Sequence, residues 1–437
     1  MRRRKCYGGR RERETLAAGY EPMERLMAKH NDLRRSLVAF EQDTTLVAVI
    51  EMSLSSWLVA AIVPGLERHP LKKISAGEDG LLELLQRWRD EAIKVGRMIT
   101  RIVVAYETGR DGFWLARWLR THDIESYVIH STSVAVSREH RRAKTDRLDS
   151  ELLKRAFLGW LRGEPDHCHM AAIPNCEQED AKRPSRERET LMGECTRIIN
   201  RMKSCLARWG VRNFKPTLRQ ACARLDTLRT PEGGPLPPNT LDELRRDMAR
   251  LRLVRDQIKA IEAARAQRLD QAPKTGPSAM VRLLASIIGV GIETADMLVH
   301  EILSRDLRDQ KAVARYAGLT GAPDESGKRR REKGLARAGN ARVRRGMIQL
   351  AWRLLRFQKD SVLAQWFRGR TADGRGGTRK TMIVALARKL LIALWRMATT
   401  GEVPAGFTLR PVAEALDKKD TSVRLGKYQA LDTPRQR

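Results

Sequence analysis

The 437-residue sequence has no apolar run that approaches the roughly 20 residues of a membrane-spanning helix. Its basic first residues, 1–14, lack the apolar core and cleavage site of a signal peptide, and no basic amphipathic anchor stands out. Six cysteines are too few, in so long a chain, for a disulfide framework. These absences argue against a membrane protein or a disulfide-rich secreted domain, and they predict a cytoplasmic protein.

Acidic residues are in the minority. The chain has 84 lysines and arginines against 53 aspartates and glutamates, a formal net charge of +31 and a sequence pI near 10.6. Because basic residues recur from Arg2 to Arg437, a nucleic acid lying along much of the surface fits this charge better than a single phosphate pocket does. The length allows two or three domains, so size is no obstacle to an enzyme.

Three patterns of small-ligand sites are incomplete. The histidines and cysteines between His167 and Cys176 do not have a standard zinc spacing. The glycines at 289 and 291 lack the third glycine of a dinucleotide-binding loop, and Lys380 follows Arg379 where a P-loop requires glycine. The sequence therefore predicts neither a zinc site nor a nucleotide-binding loop at these positions.

Apolar runs of strand length alternate with helical patterns in the first part of the chain. The predicted strands lie at 46–50, 57–63, 102–106 and 127–129, and the predicted helices at 80–95, 112–120 and 146–161. The first two strands follow each other closely, which indicates a hairpin. Strands that come first and then alternate with helices predict an α/β fold, with a mixed sheet and helices on its faces.

The second half is predicted to be mostly helical. The charged residues 177–188, which include Pro184, predict a loop before a helix at 188–209. Apolar residues spaced by three and four over 241–261 predict a long helix that packs against a partner helix, either within the chain or in a second copy. Further helical patterns run from Met280 to Ala398. The predicted segments are a basic flexible leader (1–43), an α/β carboxylate domain (44–175), a helical coiled-coil linker (176–275), a C-terminal domain (276–400) and a tail (401–437).

Four acids stand out by position. Glu51 lies at the end of the first predicted strand and Glu107 at the end of the strand at 102–106, whereas Asp146 and Asp149 lie at a helix start. Acids three residues apart share a helix face, and acids at strand ends leave at one sheet edge. Such a cluster repels itself unless cations neutralise it, and carboxylates suit Mg²⁺ or Mn²⁺ in phosphodiester chemistry. The alternative is that Asp146 caps a helix and the other acids are solvated.

Two patterns in the last third predict contacts with nucleic acid. Gly289 and Gly291, between helical segments, indicate a helix-hairpin-helix whose backbone N–H groups bind a DNA phosphate. Residues 326–345 predict a dense basic surface with glycine joints, and Ser326 at its edge is typical of a turn residue. The candidate nucleic-acid-binding residues are Lys144, Gly289, Gly291, Lys328, Arg329, Arg330, Arg331, Asn340, Arg344 and Arg345.

Five ordered motifs lie between residues 46 and 398. They are Tyr106-Glu107-Thr108-Gly109 followed by Gly112, Lys144-Thr145-Asp146-Arg147-Leu148-Asp149, Gly289-Val290-Gly291, Tyr316-Ala317-Gly318-Leu319, and Ser326-Gly327 with Gly339-Asn340 downstream. In these motifs the chain resembles the insertion-sequence transposases named for an Asp-Glu-Asp-Asp tetrad, a family that includes the Piv-type DNA invertases. Five matches in the family's order argue against coincidence.

The resemblance implies a fold and a set of site residues. The fold is an N-terminal RuvC-like, RNase H-type domain, a long coiled-coil link and a C-terminal transposase domain with a serine nucleophile. By position, Glu107, Asp146 and Asp149 match three tetrad acids and Ser326 matches the serine. Glu51 stands where the family has aspartate. Because glutamate is one methylene longer, the metal position or the backbone has to shift by about an ångström.

The resemblance also implies a mechanism and partners. Ser326 would attack the scissile phosphate, and a 3′-hydroxyl of another strand would then displace the phosphoserine link, while the acids hold Mg²⁺ or Mn²⁺ and Lys328 to Arg331 stabilise the transition state. The implied partners are double-stranded DNA, a structured guide RNA and further copies of the chain at the bacterial nucleoid. Because the acids and the serine lie far apart in sequence, they could come from different subunits.

Two other functions fit the same residues. A hydrolytic junction-resolving nuclease would need the carboxylates alone, with Ser326 incidental. A decayed transposase would bind nucleic acid without catalysis, with Glu51 marking lost metal binding. A covalent protein–DNA link distinguishes the serine recombinase from both.

Overall fold

The protein divides into two compact units, an N-terminal unit that ends at Glu179 and a C-terminal unit that begins at Asp180. None of the helices in the described part of the chain is long and apolar enough to span a membrane. For residues 146–147, 323–326 and 329–333 the description covers the backbone only. The computed structural model describes residues 35–36, 38–107, 109, 112–130, 133–134, 146–164, 167–326, 329–336 and 338–410.

The N-terminal unit is built on a five-stranded mixed sheet. In the order β3-β2-β1-β4-β5, β1 is antiparallel to β2 and parallel to β4, while β4 is parallel to β5. The predicted hairpin and mixed sheet are confirmed, whereas β3 is not among the predicted strands. The strands are β1 (Thr45–Met52), β2 (Ser56–Ile62), β3 (Leu71–Ser75), β4 (Arg101–Glu107) and β5 (Glu125–Ile129).

Helices cover both faces of this sheet, as predicted. They are α1 (Glu78–Lys94), α2 (Trp114–Arg120) and α3 (Asp146–Leu161), followed by the short α4 (Cys176–Asp180). Val47 and Val49 of β1 pack with Phe157 and Trp160 of α3, while the alternate β1 residues, such as Ile50, pack with α1 and α2. Successive strand residues point to opposite faces, and a central strand covered on both faces is apolar throughout. The continuous apolar run of β1 follows from this burial.

The two outer edges of the sheet differ. On β3, Lys72 and Lys73 are exposed. Along β5, the Ala171 N–H donates to the carbonyl of Val128 at 2.7 Å, and the His130 N–H donates to the carbonyl of His169 at 2.9 Å. Residues 169–171 therefore cover the end of β5 with backbone hydrogen bonds.

The C-terminal unit begins with three helices, α5 (Arg183–Arg208), α6 (Ala221–Leu225) and α7 (Pro238–Gln271). The predicted long helix is α7, whose Leu244, Leu251 and Ile258 pack within the chain against α5 and α6. The loop predicted for 177–188 is wrong, because α4 and the first turn of α5 occupy most of it. Pro184 lies in that first turn, where the N–H that proline lacks has no helical partner in any case.

The rest of this unit is mostly helical, as predicted, and shares one apolar core. A two-stranded hairpin, β6 and β7, interrupts the helices and is not among the predicted elements. A π-helix, whose turns are wider than α-helical ones, directly follows α9. The elements are α8 (Gly276–Ala285), α9 (Ile292–Leu298), the π-helix Val299–Leu303, α10 (Gln310–Tyr316), β6 (Gly321–Ser326), β7 (Arg329–Leu335), α11 (Ala341–Phe357), α12 (Val362–Arg370) and α13 (Gly376–Thr400).

Candidate active site

Glu51 and Glu107 lie next to each other at the carboxyl ends of β1 and β4. Ile50 pairs with Tyr106 in parallel register, so the next residue on each strand is a glutamate. Each glutamate alternates with strand residues that pack towards α3, so both leave the sheet on the face that α3 covers. Glu51 is partly exposed and Glu107 is exposed. The structure therefore brings these two predicted acids to one sheet edge.

The first turns of α3 lie beside the end of β1. The hydroxyl of Ser150, which is fully buried, donates to Oε2 of Glu51 at 3.5 Å. Asp149 immediately precedes Ser150 and is partly exposed, and Asp146 is the first residue of the helix. Residues three apart share a helix face. The backbone thus carries Asp146 and Asp149 towards the sheet edge of the two glutamates, while the Asp146 side chain lies outside the described residues.

Tyr106, the residue before Glu107, fixes the end of β4 to α2. Its side chain is buried on the opposite face of the sheet, where the phenol donates to the carbonyl of Gly112 at 3.2 Å and accepts from the Ala116 N–H at 3.2 Å. The hydroxyl of Ser126 on β5 donates to the Ala116 carbonyl at 2.6 Å. In the sequence, Tyr106 stands only as the first residue of a family-like motif, with no role assigned to it. Its structural role is to position the strand end that carries Glu107.

The donor chemistry of the acidic edge fits a divalent cation. Carboxylate oxygens are the ligands that Mg²⁺ and Mn²⁺ prefer. Among the described side chains, which do not include that of Asp146, no group of three or more His, Cys, Asp or Glu could hold a metal ion. The predicted metal therefore stays a prediction.

Cys168 lies in the segment where the sequence lacks a zinc spacing. Its thiol donates to the carbonyl of Ala156 at 3.5 Å, and burial raises the pKa of the Cys168 thiol to about 12. A metal-binding cysteine is deprotonated. The buried thiol is therefore a poor ligand, and its contacts with the core around α3 account for its position.

Ser326 is the last residue of β6, at the far end of the hairpin. It pairs with Arg329 in antiparallel register, and Glu325 pairs with Arg330. The side chains of Ser326 and of the predicted phosphate-binding arginines 329–331, and all of Lys144 and Lys328, lie outside the described residues. Their predicted roles stay predictions.

Two of the family-like motifs meet at the base of this hairpin. Gly339 has a φ of +88°, and a Cβ there would lie 2.6 Å from the carbonyl oxygens of both Arg315 and Tyr316. The Asn340 N–H donates to the Tyr316 carbonyl at 2.7 Å. Gly318 has a φ of +65°, and a Cβ there would contact the Ala338 carbonyl. Glycine is required at both positions because the two chain segments approach too closely for a side chain.

Asn340 forms the N-cap of α11. Its Oδ1 accepts from the N–H groups of Arg342 and Val343, and its Nδ2 donates to Oε2 of Glu301 at 3.0 Å. Arg342 contacts Glu189 and Glu301, and the side chain of Arg345 donates to Glu189. These contacts give Asn340 a structural role. The predicted nucleic-acid contacts of Asn340 and Arg345 remain predictions, as does that of Arg344, whose guanidinium donates to the Ala338 carbonyl at 3.4 Å.

Glu301, in the π-helix, is a buried carboxylate among cations. Its side chain is 2% exposed and accepts from Nε and Nη2 of Arg186 at 2.8 and 3.1 Å. Burial raises the pKa of Glu301, but the hydrogen bonds and charges of Arg186, Asn340 and Arg342 outweigh it and hold this pKa below its ordinary value. The carboxylate therefore stays charged and ties the start of α5 to the N-cap of α11.

Asp296 belongs to a neighbouring set of ion pairs. It accepts from the Ser185 hydroxyl at 2.9 Å and lies 3.1 Å from Nε of the buried Arg265. Burial raises the pKa of Asp296, but a hydrogen bond from His300 and the charge of Arg265 lower this pKa by more. The pKa of Asp296 therefore lies below its ordinary value. Arg265 also pairs with Glu293. Together these pairs join α5, α7 and α9.

The turn between α8 and α9 contains Gly289 and Gly291. Gly289 has a φ of +96°, and Gly291 is the N-cap residue of α9. Gln358, which is 2% exposed, donates to the carbonyls of Ile288 and Thr408 at 2.8 and 2.9 Å and accepts from the Thr408 N–H at 2.8 Å. The turn is thus held from inside the unit. Its use as a DNA-binding hairpin stays a prediction.

Comparisons with known proteins match two segments of the chain. Residues 281–366 match the family described as "Transposase IS116/IS110/IS902 family", and residues 52–210 match a DEDD family of the IS110 type described as "Transposase". The protein "Putative transposase y4rJ" of Sinorhizobium fredii is 40% identical over 377 residues, which cover 83% of this chain and 93% of that protein. The segment 52–210 contains Glu107, Asp146 and Asp149, and the segment 281–366 contains Ser326. Glu51 lies one residue before the segment 52–210.

Proposed function

Because the chain belongs to the IS116/IS110/IS902 family of transposases, we propose that it cuts and rejoins DNA as the recombinase of an insertion sequence. The observation that carries the proposal is the register of β1 and β4, which sets Glu51 beside Glu107 on the face where α3 begins with Asp146. Acids gathered at one sheet edge are the arrangement that metal-assisted phosphodiester chemistry needs.

The topology supports a RuvC-like, RNase H-type assignment for the N-terminal unit. Three antiparallel strands are followed by two strands parallel to β1, and helices cover both faces. In such mixed sheets, the carboxyl ends of neighbouring parallel strands present their next residues at one edge. The proposed site lies at that edge.

The residues that would hold divalent metal are Glu51, Glu107, Asp146 and Asp149. Bound there, Mg²⁺ or Mn²⁺ would neutralise the acids and stabilise charge on the phosphate oxygens. The protein's own part is to keep the carboxylates at one edge of the sheet. Tyr106 fixes the end of β4, which carries Glu107, and Ser150 donates a hydrogen bond to Glu51. The proposed partner is double-stranded DNA, recognised with the help of a structured guide RNA.

Ser326 is the proposed nucleophile. Its oxygen attacks phosphorus and gives up a proton to a base, while the bond from phosphorus to the leaving 3′-oxygen breaks and that oxygen is released as a 3′-hydroxyl. The 3′-hydroxyl of another strand then attacks the phosphoserine, and the serine leaves. One P–O bond forms and one breaks in each step, so no other energy source is required. Lys328, Arg329, Arg330 and Arg331 would stabilise charge on the phosphate.

The test is to incubate the purified protein with Mg²⁺, its co-purifying RNA and DNA that spans the junction of its own element. Protein covalently attached to DNA should appear on a denaturing gel and should be absent with Ser326→Ala and with Asp146→Ala. Metal-dependent free ends without a covalent band would indicate a hydrolytic junction nuclease. Binding without either product would indicate a decayed nucleic-acid-binding protein.

Mixing experiments test whether the acids and the serine of one site come from the same subunit or from different subunits. If different subunits supply the acids and the serine, a mixture of Ser326→Ala and Asp146→Ala proteins should recover part of the activity that each lacks alone. If no ratio of the two restores activity, a site composed of residues from different subunits loses its support. A wild-type titration at equal total protein serves as the control.

A further inference from the structure

A pocket of about 280 Å³ opens between α11, α12 and the start of α13. Its inner wall is apolar, formed by Leu355 and Phe367, and two arginines, Arg368 and Arg379, lie at its sides. Thr371 and Gly374 of the α12–α13 loop complete it. A pocket with an apolar wall and cationic sides suits a flat, apolar group that carries negative charge next to it.

Trp352 of α11 lies beside this pocket and is 38% exposed. Its ring packs edge-on against Phe367, with centroids 6.4 Å apart, and the guanidinium of Arg379 lies 5.2 Å from its ring centroid. Tryptophan and arginine present flat surfaces on which a nucleobase can stack. Trp352 does not itself line the pocket, but its exposed ring contacts two residues that do, Phe367 and Arg379, and so offers a stacking surface next to it.

The surrounding charge is strongly positive. Residues 352–380 contain eight lysines and arginines and two aspartates. One of these, Asp373, is engaged locally, because its carboxylate accepts from the Arg375 N–H at 3.2 Å and the Thr378 hydroxyl at 2.8 Å. A Cβ added at Gly374, Gly376 or Gly377 would meet nothing within 4 Å, so the backbone there is open to a ligand. This surface is complementary to a phosphate chain.

We propose that an unpaired base of a single-stranded nucleic acid stacks on Trp352 at the edge of this pocket, with the flanking phosphates held by Arg368 and Arg379, which line it. A base inside a duplex is stacked on its neighbours and cannot enter a pocket, whereas an unpaired base can leave its strand to stack on an aromatic ring. The Arg368 side chain is already oriented, because its Nη2 donates to the Lys359 carbonyl at 2.8 Å.

The proposal uses none of the residues proposed for strand transfer. Trp352 lies within the segment 281–366 that matches the transposase family, whereas Phe367, Arg368 and Arg379 follow it. Binding of a single strand needs neither metal nor Ser326. Failure of the proposed chemistry would therefore leave the pocket's function intact, and failure of the pocket would leave the chemistry intact.

The first experiment measures binding of a fluorescent 20-nucleotide single strand of mixed sequence, as RNA and as DNA, and of the same sequence as a duplex. The full-length protein is compared with Trp352→Leu, which removes the flat stacking surface but keeps an apolar, although smaller, side chain. Loss of one stacked base should weaken single-strand binding by about 5-fold or more and change duplex binding less than about 2-fold. RNA and DNA strands should respond alike, because neither stacking nor phosphate contact requires a 2′-hydroxyl.

Two further variants distinguish binding at the pocket from general electrostatic attraction to the basic surface. Arg379→Gln should weaken single-strand binding by about 3-fold or more, because a cation and part of the stacking surface are lost. Lys389→Gln removes one charge from the same helix, at a lysine that lies over Trp366 and outside the pocket, and should have a smaller effect. The inference is overturned if Trp352→Leu weakens single-strand and duplex binding equally, or if Lys389→Gln matches Arg379→Gln.

The second experiment locates the base directly. An oligonucleotide with 5-iodouracil is bound to the wild-type protein and irradiated, so that it cross-links to the aromatic ring on which it stacks. The expected product is the tryptic peptide of residues 346–353, in which Trp352 is the one aromatic residue. This readout does not depend on how a variant folds. Cross-links to other peptides without 346–353 would place the base elsewhere and overturn the proposal.

Discussion

The two units use carboxylates in opposite ways. In the N-terminal unit, Glu51 and Glu107 lie at strand ends, are at least partly exposed and share one sheet edge. In the C-terminal unit, Glu301 is buried and Asp296 is partly buried, and arginines brought from distant parts of the chain hold them. The first pair is proposed to hold a divalent cation, whereas arginine side chains supply the cations of the second pair.

In the C-terminal unit, the neighbouring cations decide the role of the carboxylates. A buried carboxylate with arginine and amide donors has a lowered pKa and acts as a fixed joint between helices. Carboxylates gathered at a sheet edge repel each other and favour a divalent cation. Single-residue changes in each unit should therefore have different kinds of effect.

The largest effect is expected for Glu107→Gln. If Glu107 holds metal as proposed, loss of its charge should reduce DNA cleavage at least about 100-fold while leaving the protein folded. The matched control is Glu125→Gln, which changes a carboxylate at the opposite end of the same sheet, where it pairs with Arg101 at 2.7 Å. Cleavage by the control should stay close to wild type. Equal loss in both variants would mean that the sheet, and not the acidic edge, is being disturbed.

Glu301→Gln should act on stability. Arg186 would lose its ion pair with Glu301, and Arg342 would keep only its ion pair with Glu189, so the expected loss is about 2–3 kcal/mol in the free energy of unfolding. Denaturant unfolding measures it. Asp256→Asn, at an exposed acid paired with Lys259 on α7, serves as the control and should leave stability unchanged. A stable Glu301→Gln protein would contradict the role of the buried carboxylate as a joint.

The same carboxylates predict how stability depends on pH. The pKa values of Glu301 and Asp296 lie below their ordinary values of 4.5 and 3.8, so they stabilise the fold fully above about pH 4.5. That contribution is lost as the pH falls through the lowered values. Thermal unfolding measured from pH 6 to pH 3 should therefore show a melting temperature that falls below about pH 4.5. The fall should be shallower for Glu301→Gln.

The smallest effect is expected for Glu51→Asp, which introduces the aspartate that the sequence resemblance implies for this position. The charge is kept and the side chain shortens by one methylene, so cleavage should persist with a metal requirement changed less than about 10-fold. The measurement is the Mg²⁺ or Mn²⁺ concentration that gives half-maximal cleavage. Complete loss of cleavage would show that the site is built for the longer glutamate.

Local pattern predicts much of the N-terminal unit. The apolar runs at 46–50 and 102–106 lie within β1 and β4, and α3 begins and ends where its pattern does. The edge strand β3 escapes prediction because its sequence, Leu71-Lys72-Lys73-Ile74-Ser75, is largely exposed and shows no apolar run. The periodic pattern of apolar residues reflects burial, so a strand that buries few side chains is difficult to predict from its sequence.

Long-range pairs account for most of what could not be predicted. Arg186 and Glu301 are 115 residues apart, and Asn340 lies 39 residues from Glu301. No local pattern relates such residues, and a charged side chain in a basic chain is typically solvated. The same limit applies to the pocket beside Trp352, which needs three helices to form.

The edges of the sheet bear on how copies of this chain can associate. An exposed strand edge is a template on which strands of other molecules add, which leads to aggregation. Here Lys72 and Lys73 place positive charge along the β3 edge, and residues 169–171 already occupy hydrogen-bonding groups at the end of β5. Self-assembly through a continuous intermolecular sheet is therefore disfavoured at both edges. We expect the N-terminal unit to resist this kind of aggregation at high protein concentration.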